Sequence, residues 1–262
     1  MTTDAMTFGR VKVRVSETRD AMGKAAAQHV VGLLRRVLSR KETANVVFAA
    51  APSQTEFLSH LAMAEDVDWS RILGFHMDEY IGLPADSDQF FGRYLERHIF
   101  SLVKFREVHL FDSQANDTSR ECDRYAGLLR DNPIDIVCLG IGENGHIAFN
   151  DPPFADFQDP QLVKVIELDD RDRQQQVHDG CFKSVPDVPR NAYTLTIPAL
   201  MSAKYLSCVV PTKRKATAVA RALTGPLTTA VPASILRTHP RINIFLDVAS
   251  ASLLGPRRSD YR

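Results

Sequence analysis

The sequence predicts an α/β fold in which helices cover both faces of an open, mostly parallel sheet. Three observations indicate it. Short apolar segments rich in β-branched residues alternate with amphipathic segments along most of the chain. The segment Ile134–Leu139 is almost entirely apolar, as expected of a central strand that is buried on both faces. A turn with three glycines, Gly140–Gly145, follows it, and ligands of open α/β sheets bind beyond the carboxyl ends of such strands.

Each predicted strand is a short apolar segment bounded by turn residues. In chain order, the strands are expected at Val11–Val15, Ala44–Ala50, Ile72–Met77, Glu107–Phe111, the segment from Ile134, Leu162–Glu167, Ala192–Ile197, Tyr205–Val210 and Ile242–Leu246. The helices show apolar residues at helical spacing. Ser16 is expected to be the N-cap of a long first helix that continues through Val37. The other helices are expected at Glu56–Ala64, Phe90–Phe100, Thr118–Arg130 and Lys213–Leu223.

The chain is expected to form one domain over residues 1–262, because no low-complexity linker or repeat divides it. The proline-rich segment Asp151–Pro160 is interpreted as an ordered loop or lid beside the site. Lysine plus arginine and aspartate plus glutamate both number 32, so overall charge does not favour a nucleic-acid or membrane partner. The four cysteines form no CxxC pair and the amino terminus has no signal-peptide pattern, so we expect a reducing, cytoplasmic location.

Four side chains are candidates for acid/base chemistry. Asp78 and Glu79 follow a predicted strand, and although adjacent acids alone are typical of a solvated loop, apolar neighbours could raise the pKa of one carboxyl toward that of a general base. His146 lies in the glycine turn, close to a second acid, Asp151. An imidazole held by a carboxylate is a recurrent acid/base arrangement.

Candidate anion contacts follow other strands at the same edge. Ser53, Gln54 and Thr55 open a helix, where hydroxyl and N–H groups could hold a phosphate or simply cap the helix. Arg171 and Arg173 follow a predicted strand, and Lys215 begins a helix. These elements could converge on one phosphate, although exposed basic residues are usually only solvated.

Other chemistries have weaker support. A metal site is not expected, because no HxxxH or CxxC spacing accompanies His76, Asp78 and His146. The glycine turn is not followed by the helix and the distal ribose-binding acid that accompany the GxGxxG motif in dinucleotide sites, and no GxSxG nucleophile motif is present.

Two long segments, Met77–Pro84 and Gly142–Pro152, resemble the signature sequences of the glucosamine-6-phosphate deaminase (isomerase) family. The resemblance continues through Asn191–Pro198 and Lys215. The related 6-phosphogluconolactonases share the fold and a Gly-His element, but Ile147–Asn150 after the histidine is more typical of the deaminases.

The resemblance implies a Rossmann-like fold and conversion of glucosamine 6-phosphate and water to fructose 6-phosphate and ammonia, without metal or other cofactor. It assigns Asp78 as the base between C2 and C1, and His146 as the ring-opening acid/base at O5. Asn144 and Asp151 would complete the ring-opening relay. The phosphate would be bound by Ser53 to Thr55, Arg173 and Lys215. The partner implied is a small sugar phosphate, with a homo-oligomer left open.

The sequence departs from the family pattern at three places. Asn144 stands where the best-known members have Asp, and Asp151 stands where Glu is usual, which would draw the carboxylate back by roughly 1.5 Å. The phosphate loop, usually rich in glycine, reads Pro52–Thr55 and would be strained at any position with positive φ. The chain ends soon after the last predicted strand, so the allosteric site of hexameric members is not expected.

Three hypotheses follow, in this order. The first is the deaminating aldose–ketose isomerase. The second is a 6-phosphogluconolactonase-type hydrolase, in which His146 activates water and Asp78 has little to do. The third is a catalytically weakened sugar-phosphate-binding protein, which the changed loop and the shorter Asp151 would explain. The gluco or galacto preference is left open by the sequence.

Overall fold

The structure is a computed structural model that describes residues 4–255, apart from the side chains of residues 4, 171 and 172. The side chain of Arg171, one of the predicted anion contacts, and the predicted short tail at residues 261–262 therefore lie outside the described part. Among residues 4–255, no helix is long and apolar enough to cross a membrane.

An eight-stranded sheet forms the centre of the molecule. Its strands, in chain order, are β1 (Asp4–Phe8), β2 (Val11–Ser16), β3 (Ala44–Phe48), β4 (Ile72–His76), β6 (Glu107–His109), β7 (Ile136–Leu139), β10 (Tyr205–Val210) and β11 (Ile242–Asp247). They are arranged as β1-β2-β11-β10-β7-β3-β4-β6, and every pair is parallel except the antiparallel pair β1–β2. The predicted open, mostly parallel sheet is confirmed.

Side chains of successive strand residues point to opposite faces of this sheet, and each face has its own apolar cluster. The helices are α1 (Arg19–Leu38), α2 (Thr55–Ala62), α3 (Phe91–Leu95, continued by a π-helical turn at Glu96–Phe100), α4 (Thr118–Asp131), α5 (Asp170–His178), α6 (Ile197–Met201) and α7 (Ala216–Thr224). Helices α1, α2 and α3 contribute to one cluster, whereas α4, α6 and α7 contribute to the other. Helices therefore cover both faces of the sheet.

A second, three-stranded antiparallel sheet lies beside the first. It consists of β5 (Asp78–Ile81), β9 (Asn191–Leu195) and β8 (Val163–Glu167), in the order β5-β9-β8. The strands expected at Leu162–Glu167 and Ala192–Ile197 exist, but they belong to this second sheet and not to the parallel one. Apolar content alone does not reveal which sheet a strand joins.

The expected N-cap at Ser16 is wrong. Ser16 is the last residue of β2 and pairs with Asp247 of β11, so its backbone is committed to the sheet. The N-cap of α1 is Thr18, whose hydroxyl accepts a hydrogen bond from the N–H of Ala21 at 3.1 Å.

Strand β4 ends at His76, and the chain passes through Met77 directly into β5. This change of sheet positions Asp78. The direction of the strand order reverses between β3 and β7, because the chain proceeds from β3 to β4 and β6 on one side and from β7 to β10 and β11 on the other. In open α/β sheets such a reversal opens a crevice at the carboxyl ends of the strands.

Candidate active site

A cavity of about 70 Å³ lies at the carboxyl ends of β3 and β7, where the strand order reverses. The residues Ala49–Ala51 after β3 and Gly140–Gly142 after β7 form part of its wall. The polar side chains that line it are those of Ser53, Gln54, Asp78, His146, Gln175, Gln176, Asp179 and Lys215. Five of the nine residues predicted from the sequence therefore meet in one cavity.

Asp78 presents a buried carboxyl group to the cavity. The residue is 8% exposed, and its carboxyl makes no hydrogen bond to any described residue. Burial raises its pKa well above the usual value, and the negative charge of neighbouring Glu79 raises it further. Such an environment suits a carboxyl group that takes up a proton near neutral pH.

Glu79 has a structural role beside Asp78. Its carboxylate accepts hydrogen bonds from the N–H groups of Tyr80, Phe91 and Gly92 at 2.8–2.9 Å and thereby holds the first turn of α3 against β5. Burial raises its pKa to about 7, against the opposing effect of these N–H groups. The carboxylate faces backbone donors, so Glu79 shapes the wall and the electrostatics of the site without lining the cavity.

His76 is also structural. Its Nε2 accepts a hydrogen bond from the N–H of Phe111 at 2.8 Å, and burial lowers its pKa to about 3. The ring is thus neutral and joins the end of β4 to the segment after β6. Within residues 4–255, no group of three or more His, Cys, Asp or Glu side chains is placed to hold a metal ion.

His146, Asp151 and Asn144 form one hydrogen-bonded group. The Nδ1 of His146 lies 2.6 Å from Oδ1 of Asp151, which is fully buried. Asn144 braces both partners, because its Nδ2 donates to Oδ1 of Asp151 at 2.7 Å and its Oδ1 accepts from the N–H of His146 at 2.9 Å. Since a carboxylate only accepts hydrogen bonds, the proton of a neutral imidazole lies on Nδ1 and its Nε2 is the basic atom.

The shorter Asp151 reaches the imidazole because the chain between the two residues turns tightly. Ile147 and Asn150 form an isolated bridge, and Ala148 has a left-handed backbone with φ of 48°. Such a conformation is strained for a residue with a side chain and is found where the surrounding structure imposes it. The loss of one methylene relative to Glu therefore does not separate the carboxylate from His146.

Gly142 makes room for the imidazole. A Cβ atom at Gly142 would lie only 2.3 Å from Cε1 and Nε2 of His146. The next glycine of the turn, Gly145, has φ of 95°, a conformation that side chains disfavour. The glycines thus allow the ring to lie directly against the turn after β7.

The changed loop after β3 avoids strain. Residues Pro52–Gln54 form a single 3₁₀ turn, and no residue of this loop has a positive φ. The amide Nε2 of Gln54 donates to the carbonyl of Val209 and to Oγ of Ser53, both at 3.2 Å. The side chain of Gln54 thus links this loop to the end of β10.

Lys215 brings a buried cation to the cavity from the turn before α7. Burial lowers its pKa, whereas the negative charges of Asp179 and Glu143 oppose that effect. The preceding Thr212 has φ of 80° and is fixed by hydrogen bonds from its N–H to both carboxylate oxygens of Asp247, at 3.2 and 3.1 Å. The turn that leads to Lys215 therefore contains a strained backbone conformation, which the sequence does not predict.

Two of the predicted phosphate contacts do not reach the cavity. The guanidinium of Arg173 is buried and donates to the carbonyls of Val188 and Val185, at 3.2 and 2.7 Å, and to Asp170 at 3.1 Å. The hydroxyl of Thr55 donates to the carbonyl of Pro52 at 3.1 Å. Both side chains donate to nearby backbone carbonyls, and neither lines the cavity.

Three cavity residues were not expected from the sequence. Gln175, Gln176 and Asp179 come from α5 or the turn after it, and the sequence pattern of this segment does not predict a helix. Its sequence is polar on all sides, so the usual apolar stripe is missing. The sequence signal for these polar residues is their place in the segment that follows β8.

The fold and the cavity together define a class of α/β enzyme that binds its ligand at the reversal of the strand order. The chain belongs to the family described as glucosamine-6-phosphate isomerases/6-phosphogluconolactonase, which it matches over residues 17–244. The family resemblance predicted from the sequence is confirmed.

Individual relatives of the chain support this family assignment. A glucosamine-6-phosphate deaminase of Lactobacillus delbrueckii subsp. bulgaricus is 32% identical over 93% of this chain and 100% of the relative. One from Listeria innocua is 36% identical over 80% of this chain and 88% of the relative. The solved structure of a monomeric glucosamine-6-phosphate deaminase superposes with a TM-score of 0.83 at 27% identity, over 92% and 99% of the two chains. A 6-phosphogluconolactonase from Thermotoga maritima shares the fold, with a TM-score of 0.74 at 22% identity over 90% and 99%.

Proposed function

We propose that the protein converts glucosamine 6-phosphate and water to fructose 6-phosphate and ammonia, as a deaminating aldose–ketose isomerase. The observation that carries the proposal is the presence of two separate acid/base groups, Asp78 and His146, in the wall of one cavity. The reaction needs two such groups, because opening the sugar ring and moving a hydrogen between carbons are different proton transfers.

Asp78 is proposed to move the proton from C2 to C1. Its raised pKa makes the carboxylate a stronger base than an exposed aspartate. A cationic amino group at C2 of the substrate would favour the charged carboxylate at the moment of binding, since opposite charges at close range favour ionisation. Burial thus makes the carboxylate of Asp78 a stronger base, and binding of the cationic substrate favours its ionised form.

His146 is proposed to donate and accept the proton at O5 through Nε2, while Nδ1 stays bonded to Asp151. The short contact of 2.6 Å fixes the tautomer and would stabilise the imidazolium that forms when Nε2 takes up a proton. Asn144 is proposed as a positioning residue, because it touches Asp151 and the backbone of His146 and does not line the cavity.

The phosphate is proposed to lie between Lys215 and the turn that carries Ser53. A buried ammonium group needs an anion as its partner, and a hydroxyl can donate to a phosphate oxygen. Arg173 is left out of this set, since its guanidinium is committed to Val185 and Val188. Its proposed role is to hold that segment against α5.

Binding requires the cavity to widen. Its free volume of about 70 Å³ is below the roughly 300 Å³ at which small-molecule sites begin. Gln175 and Gln176 on α5 form one wall. The side-chain oxygen of Gln175 accepts a hydrogen bond from the N–H of Glu143 in the turn after β7 at 2.8 Å, whereas the side chain of Gln176 makes no hydrogen bond to a described residue. We propose that they move when the sugar enters and then contact its hydroxyl groups.

The test is ammonia release from glucosamine 6-phosphate by the purified protein, with fructose 6-phosphate measured in parallel. Asp78→Asn should lower the rate by about 10²–10⁴-fold, the range of general acid/base catalysis. Asp86→Asn is the matched control, because Asp86 is exposed and makes no ion pair with a described residue. Equal rates for wild type and Asp78→Asn would reject the mechanism.

The same preparations distinguish the alternatives. Hydrolysis of 6-phosphogluconolactone that survives Asp78→Asn but is lost in His146→Gln would assign the lactonase reaction instead. Binding of glucosamine 6-phosphate by calorimetry with no product would assign a binding protein. Comparing glucosamine and galactosamine 6-phosphates then identifies the preferred epimer.

A further inference from the structure

A second depression, here called the basic groove, lies between β2 and α1 and has a volume of about 580 Å³. Its cationic lining residues are Arg10, Lys12, Arg14, Arg36 and Arg241. Tyr205 and Ile242, the first residues of β10 and β11, also line it. The basic groove is therefore at the amino ends of these strands, whereas the candidate active site is at the carboxyl ends of β3 and β7.

The strand pattern directs the cations to one face. Val11 and Val13 are buried on one side of β2, so the alternate residues Lys12 and Arg14 point to the side of α1. Arg10 to Arg14 spans roughly 13 Å at the rise of an extended strand. The basic groove thus presents an elongated row of positive charge.

Helix α1 forms the opposite wall. Gln28, Gly32 and Arg36 are four residues apart and share one helix face, with His29 beside them. Gly32 leaves this wall open, because a Cβ atom built there would meet nothing within 4 Å. The amide groups of Gln28 and Asn243 add neutral hydrogen-bond donors to the lining.

None of the described residues that line the basic groove carries a carboxylate. Within residues 4–255, the side chains of its five cations make no ion pair or hydrogen bond. Arg19, Arg35 and Arg71, which also contact the region of α1, are by contrast all paired with acids or carbonyls. The positive charge of the basic groove is thus not neutralised by any residue that the structure describes.

Two of these cations lie over aromatic rings, and two of them affect the pKa of a neighbouring histidine. The guanidinium of Arg14 lies 6.0 Å from the ring centre of Phe245, and that of Arg241 lies 5.6 Å from the ring centre of Tyr205. Burial, together with the smaller effects of the positive charges of Arg14 and Lys12, lowers the pKa of His29 to about 4. A neutral imidazole beside uncompensated cations is the expected response to a positive potential.

We propose that the basic groove binds a linear polyphosphate anion, either inorganic or as the phosphate chain of a nucleotide. A single phosphate would contact only part of a row of about 13 Å, whereas a chain of linked phosphates can contact several cations at once. A volume of about 580 Å³ is within the range of small-molecule sites. The formal net charge of the chain is zero, so the positive charge of the basic groove does not reflect an overall basic composition.

Gly32 supplies a sharp test. Gly32→Glu introduces a carboxylate into the basic groove, and Gly32→Gln introduces a neutral side chain of nearly the same size as the matched control. Inorganic triphosphate is titrated into each folded protein by calorimetry, in the presence of a chelator. We expect Gly32→Glu to weaken binding by about tenfold or more, the equivalent of losing one charge-assisted hydrogen bond, whereas Gly32→Gln stays within roughly threefold of wild type.

Further titrations distinguish inorganic polyphosphate from a nucleotide and the basic groove from the candidate active site. ATP that binds more tightly than triphosphate identifies a nucleotide as the occupant, and equal affinity identifies the phosphate chain alone; both outcomes support the proposal. The proposal is overturned if wild type does not bind triphosphate, if Gly32→Glu binds it as wild type does, or if glucosamine 6-phosphate displaces it. A single-stranded oligonucleotide that binds more tightly, with the same loss in Gly32→Glu, would also overturn it in favour of nucleic acid.

Discussion

Gly142→Ala is expected to disable the active site by displacing the ring of His146. The new Cβ would lie 2.3 Å from Cε1 and Nε2 of the ring, whereas ordinary contacts begin at 3.4 Å, so the ring must retreat by about 1.1 Å. The same ring is held from its other edge by Asp151, at 2.6 Å from Nδ1. The retreat therefore breaks the geometry between the imidazole, its carboxylate and the substrate.

A misplacement of about 1 Å can cost on the order of 100-fold in rate. We therefore expect kcat/KM for ammonia release to fall by about 100-fold, equivalent to about 2.7 kcal/mol of transition-state stabilisation. The assay is ammonia release at saturating and limiting glucosamine 6-phosphate. Proton NMR of the Nδ1–H of His146 reports independently whether the hydrogen bond to Asp151 survives.

Gly127→Ala is the matched control for Gly142→Ala. Gly127 lies in α4, and a Cβ atom there would meet nothing within 4 Å. Alanine should stabilise this helix by up to about 1 kcal/mol and leave the activity unchanged. If Gly142→Ala keeps its activity within roughly threefold of wild type, while the His146 signal is unaltered, the placement of the ring in this account is wrong.

Four substitutions test separate parts of the site. Asp151→Glu restores the residue usual in the family, but the extra methylene enters a fully buried position and should cost about 1–3 kcal/mol of stability, measured by urea unfolding, together with activity. Asp78→Asn should raise the melting temperature at pH 7 and have little effect near pH 4. The pKa of Asp78 in the folded protein is above the unfolded value of 3.8, so the stability of wild type falls as the pH rises from the unfolded pKa to the folded pKa. The amide introduced by the substitution does not ionise, so the variant does not lose this stability. Arg173→Met should lower stability by about 2–4 kcal/mol, because the carbonyls of Val185 and Val188 lose their donors, yet leave KM within about threefold of wild type. Lys215→Met should raise KM by about tenfold or more, and a larger rise in Arg173→Met than in Lys215→Met would return Arg173 to the phosphate site.

The central sheet and the core of the site could be predicted from the sequence because both depend on local patterns. The apolar segment around Ile136 and the glycines after it predict a buried strand and a turn that admits a ligand. Asp78 and His146 each follow such a strand, and parallel strands bring their carboxyl ends to one edge. Their meeting in one cavity follows from these facts.

The remaining features depend on contacts between segments that are distant in sequence. Arg173 and Lys215 are both basic residues beside a helix start, yet one donates to the carbonyls of Val185 and Val188 and the other faces the cavity. No local pattern separates these outcomes. The same holds for Ala148, whose left-handed backbone compensates for the short Asp151 although nothing in its own side chain favours that conformation.

Exchange of the C2 hydrogen of glucosamine 6-phosphate with D₂O, followed by proton NMR together with ammonia release, tests the central claim most directly. If Asp78 and His146 perform different proton transfers in one cavity, Asp78→Asn should show neither exchange nor ammonia. His146→Gln should retain slow exchange, at the rate at which the sugar ring opens spontaneously. Full exchange in Asp78→Asn, or identical behaviour of the two variants, would contradict the proposed division of roles.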